Sequence, residues 1–118
     1  MKNFEKIVQE VLNCRQKIIR EQNELAEEIL EKMIKSFSDF NVKYITLFLS
    51  KKEKRIIIIM YGKDSNEIDQ FSYEELYDGE RVLEHIKYML QDVAIIKNKF
   101  DIKFLNNSEC NIRLKICY

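Results

Sequence analysis

His85, Cys14, Cys110 and Cys117 are the chain's whole stock of imidazole and thiol groups. A cysteine activated by an imidazole makes a nucleophile, and His85, with Asp92 two turns further along, would need Cys110 or Cys117 brought to it by folding. Nothing in the spacing selects that pair. An edge histidine in an ordinary hydrogen bond is the plainer expectation. Three scattered cysteines without a CxxC and a single histidine do not supply the ligand spacing of zinc sites. With Gly62 and Gly79 the only glycines, neither GxGxxG nor a phosphate-cradling P-loop can be built. Asp64 and Asn66 imitate the start of a calcium loop, but Ile68 stands at a ligand position, and the required glycine and final glutamate are missing. No catalytic residue, metal or cofactor is therefore assigned.

Charge placement carries more. Asp64, Glu67, Asp69, Glu74, Glu75, Asp78, Glu80 and Glu84 face Arg81 alone over residues 64–84, and Phe71, Tyr73 and Tyr77 interleave with them. Glu21, Glu24, Glu27, Glu28 and Glu31 in the leading segment enlarge the acidic surface if both share a side. Aromatic anchors in a charged rim suit protein recognition. Glu67, Asp69, Tyr73, Glu74, Glu75, Tyr77, Asp78 and Glu80 are accordingly expected to meet a larger protein with a basic surface. Lysines plus arginines equal aspartates plus glutamates at 20 each, so no net field draws the chain to nucleic acid or anionic lipid. The basic turn Lys51, Lys52, Lys54 and Arg55 reads as a soluble strand edge.

The element that must position these groups is the opening. Phe4, Ile7, Val8, Val11, Leu12, Ile18, Ile19, Leu25, Ala26, Ile29, Leu30, Met33 and Phe37 recur at a 3.6-residue period without Gly or Pro, which predicts one long helix over about residues 3–38. Such a helix runs roughly 50 Å, longer than a globule of this size is wide. It should overhang its domain and present an apolar stripe to a partner or a second copy. Arg15 and Gln22 interrupt that stripe. Val11, Arg15, Ile18 and Gln22 are the expected dimer interface.

Residues 42–50 and 55–61 read as strands apolar on both faces, as in a covered sheet or an interface. Residues 62–79 read as a polar loop whose Ser72-x-x-Glu75 starts at most one helical turn. A second helix follows from Asp78-Gly79 to about Asn98, with Val82, Leu83, Ile86, Met89, Leu90 and Val93 inward. Alternation at Phe100, Ile102, Phe104 and at Ile112, Leu114, Ile116, Tyr118 gives a one-sided hairpin turning through Asn106, Asn107 and Ser108.

The 118 residues, 46% of them hydrophobic, thus form one α+β domain over residues 1–118. The expected architecture is a two-layer sandwich in the order helix, hairpin, helix, hairpin, with a four-stranded antiparallel sheet and two helices on one face. Odd cysteines suit a reducing, cytoplasmic compartment. Charges within the first six residues leave no signal-peptide core, and the apolar run of residues 56–61 is too short to cross a bilayer. Heavy use of Ile, Lys and Asn with no Pro suggests a low-GC bacterium, its phage or a mobile element. The expected function is a non-enzymatic, homodimeric inhibitor or adaptor. Its alternative is a small-molecule binder or small enzyme using Arg15, Gln22, His85 and tyrosines in a pocket between helices and sheet or at a dimer interface.

Overall fold

A run of residues free of Gly and Pro, with apolar side chains at helical spacing, folds as predicted: α1 spans Phe4–Ser36 unbroken. A computed structural model describes residues 3–107 and 109–117. Strands β1 (Tyr44–Ser50), β2 (Arg55–Tyr61) and β3 (Glu67–Glu74) follow, then α2 (Gly79–Asp92), α3 (Ala94–Lys99), β4 (Phe100–Phe104) and β5 (Ile112–Ile116). Ser108 and Tyr118, assigned above to the last hairpin, lie outside the described residues. No helix among the described residues is long and apolar enough to cross a membrane.

The sheet is antiparallel with order β3-β2-β1-β5-β4. It has five strands where four were expected, and the order is helix, three strands, two helices, two strands. The extra strand is β3, which occupies the stretch read as a loop, and Ser72 lies inside it rather than capping a helical turn. β3 is an edge strand. Only Phe71 and Tyr73 reach the core from it, and its remaining charges keep an open edge soluble. The second helix is likewise shorter than expected. Val93 turns to extended backbone (φ −84°, ψ 108°) and separates α2 from α3.

One face of the sheet holds the core. Ile45 and Leu47 of β1, Ile56 and Ile58 of β2 and Ile112 and Leu114 of β5 pack with Ala26, Ile29 and Met33 of α1 and Val82, Ile86 and Leu90 of α2. Register puts Tyr44, Thr46, Phe48, Ile57, Ile59 and Tyr61 on the opposite face. There Tyr44 and Tyr61 stack with ring centroids 4.7 Å apart. Neither α1 nor α2 covers that side.

The core takes only the second half of α1. Every residue from 3 to 17 is exposed, and the helix becomes partly buried at Ile18. The molecule measures 66 × 33 × 23 Å with a radius of gyration of 17.2 Å, against about 13.5 Å for a compact chain of this length. The expected overhang is present.

Candidate functional site: the arm of the first helix and the cleft at its root

Phe4, Ile7, Val8, Val11 and Leu12 form the arm's apolar stripe, each 48% to 60% exposed. A stripe of this kind on a free helix normally indicates a missing neighbour. The stripe then runs into a cleft of about 210 Å³ lined by Arg15, Ile18, Ile19, Gln22, Tyr77, Asp78 and Arg81. The cleft lies where α1 joins the globular body. One wall is α1 and the other is the linker at residues 75–78 with the start of α2.

Local chemistry explains the linker. Asp78 is the N-cap of α2 and accepts a hydrogen bond from the Glu80 backbone N–H through Oδ1 at 3.1 Å, satisfying one of the donors that a helix start leaves open. Tyr77 has φ 66°, a left-handed conformation costly for a bulky side chain. Its hydroxyl donates to Glu21 Oε2 at 3.0 Å, which ties the linker to α1. The same hydrogen bond and the charge of Glu21 hold the Tyr77 phenol pKa above its ordinary value.

Gln22 floors the cleft at 2% exposure. Its Nε2 donates to the Leu76 carbonyl at 2.9 Å and, at 3.4 Å, to that of Asp78. Two carbonyl acceptors fix the amide's orientation. Oε1 consequently points elsewhere and has no partner among the described residues. Arg15 and Arg81 form no ion pair among the described residues. Two guanidiniums without an ion pair, set against the single carboxylate of Asp78 in the lining, leave the cleft receptive to a further carboxylate.

The residues expected at the dimer interface fall along one line. Val11 is on the arm, Arg15 and Ile18 are at the mouth of the cleft, and Gln22 lies within its own chain. The acidic surface is more divided. Glu67 and Asp69 are exposed on β3, whereas Glu74 pairs with Arg55 at 3.7 Å and Glu80 with Lys51 at 3.0 Å. Asp78 is the cap just described. Tyr73 packs edge-on to Phe71, centroids 6.1 Å apart, and burial pushes its phenol pKa up. Glu75 lies against Gly79, where an added Cβ would sit 2.6 Å from Glu75 Oε2. The same ion pairs draw Lys51 and Arg55 out of the basic turn.

His85 stacks on Tyr88 along α2, centroids 6.1 Å apart, and is not among the residues lining the cleft. Among the described residues no three His, Cys, Asp or Glu side chains converge as metal ligands. Sequence reasoning missed Arg81 as a site residue. It stood out only as the lone base in an acidic run, and Asp78 capping now places it against α1. No protein-family model, curated protein or solved structure matches this chain.

Proposed function

We propose that the chain is a non-enzymatic protein-binding module that works as a homodimer, with the arm of α1 as its self-association element. The observation that carries this is the uninterrupted exposure of residues 3–17 with their apolar stripe. Burial of such a stripe is favourable at about 25 cal/mol per Å², and a second copy offers an identical stripe for an isologous, two-fold contact. Charge favours antiparallel arms. On the stripe and its flank, Glu5 lies toward the free end and Arg15 toward the root, while Lys6 falls on the back of the helix, so antiparallel packing sets this acid near this base and parallel packing stacks like on like.

Docking onto a larger basic protein, as inhibitor or adaptor, is assigned to the β3 edge. It is supported by Glu67 and Asp69, which are exposed there and pair with no cation among the described residues. An edge strand also offers open backbone groups to a visiting chain.

Sedimentation equilibrium tests the first half. The wild type should be dimeric at micromolar concentration and the Val11→Asp variant monomeric with its helix content retained. A wild-type monomer at high micromolar concentration overturns the dimer. For the second half, a protein bound by the wild type should be released by the paired Glu67→Lys and Asp69→Lys substitutions. Undiminished binding by that variant overturns the β3 assignment.

A further inference from the structure

Arg15 and Arg81 line one cleft and form no ion pair among the described residues. The stripe of the arm leads directly into that cleft, because Phe4, Val11, Arg15, Ile18 and Gln22 share one face of α1. Two arms packed antiparallel about Val11 bring residue i of one copy opposite residue 22 − i of the other. The partner's Phe4 then lies beside Ile18, at the mouth of the cleft.

The flank of the helix decides which charge arrives there. Glu5, Leu12 and Ile19 succeed one another at seven-residue intervals and so lie on one flank of α1. That flank continues to Leu30 and Ile34, which line a shallow hollow together with Met89 of α2. It is therefore the α2 side of α1, and Arg81 stands in the first turn of α2. In a two-fold antiparallel pair, like flanks face each other. The partner's Glu5 consequently arrives on the side of Arg81, one turn or less from Arg15.

We propose that the cleft is the seat for the start of α1 from a second copy, with the partner's Phe4 ring on Ile18 and Ile19 and the partner's Glu5 carboxylate between Arg15 and Arg81. This rests on the self-association proposed above and adds its register and its polar lock. Each dimer contains two such seats, and each is incomplete without the other copy. The anion satisfies the guanidiniums, and Arg15, otherwise an awkward charge at the centre of an apolar stripe, gains a function.

Charge exchange with sedimentation as the readout tests it. Glu5→Arg alone and Arg81→Glu alone should each weaken the dimer at least tenfold, and the two together should recover most of that loss. Both positions are exposed, so neither change threatens folding; circular dichroism confirms this. A wild-type dimer whose strength is untouched by either single change, or by the pair, overturns the seat and leaves self-association standing. A wild type that is monomeric overturns both.

Discussion

Gln22 and Leu76 are joined across 54 positions of sequence by one hydrogen bond, 2.9 Å from the carboxamide Nε2 to the backbone carbonyl. It is the clasp between α1 and the linker that precedes α2. Replacing Gln22 with Ala leaves the Leu76 carbonyl partly buried without its donor and opens a void, costing about 1–3 kcal/mol. Gln22→Leu fills the space and removes the unpaired Oε1 together with the clasp, so its cost should be smaller. Urea denaturation of the two variants checks the order.

Orientation of the arms is readable by disulfide trapping. Ile7 and Cys14 lie on one flank seven residues apart, and antiparallel pairing about Val11 brings Ile7 of one copy next to Cys14 of the other. In a Cys110→Ser, Cys117→Ser background, Ile7→Cys should yield a covalent dimer on mild oxidation. The same background with Ile7 intact should not, because antiparallel Cys14 residues are separated by about 9 Å along the helix, beyond disulfide reach. Failure of the Ile7→Cys variant to cross-link overturns the antiparallel arrangement.

The three thiols should separate by reactivity. Cys14 and Cys117 are exposed, while Cys110 is partly covered, and burial pushes its pKa above the ordinary thiol value. Since the thiolate is the nucleophile, alkylation with iodoacetamide near pH 8 should label Cys110 last. The raised pKa also sets a direction for stability. The unfolded thiol ionises first, so the contribution of protonated Cys110 is complete at neutral pH and declines as pH climbs through the usual thiol range. Mass spectrometry of partly alkylated protein across pH gives the order.

Core and arm should answer truncation differently. Ile58 is fully buried, and Ile58→Ala should cost roughly 2–5 kcal/mol of folding stability. Val8→Ala, on the arm, should leave the unfolding of dilute protein in place and shift only the concentration dependence of melting. Thermal scans at two protein concentrations distinguish the two effects.

The legible parts of this fold are those with a clean period. α1 announced itself through thirteen apolar positions on one face, and β1, β2, β4 and β5 through alternation or continuous β-branched residues. β3 was hidden because its apolar residues fall at Ile68, Phe71 and Tyr73, out of strict alternation, and the ladder shifts register between Met60 and Tyr61. An edge strand needs few apolar residues, so its acids read as a loop. In the cleft, Arg15 and Gln22 were visible as interruptions of a stripe. Arg81 and the left-handed Tyr77 were not, because both depend on how the linker crosses α1 and no local pattern encodes that.

Lacking Gly and Pro throughout, α1 has nowhere to hinge. Two such rods crossing at Val11 would act as a caliper, holding the roots of the two bodies about 21 Å apart along the axis. Whatever each body grips, it would grip in duplicate at a preset span. Targets with a matching two-fold repeat would then be engaged by both ends at once, and those with another spacing by one end only.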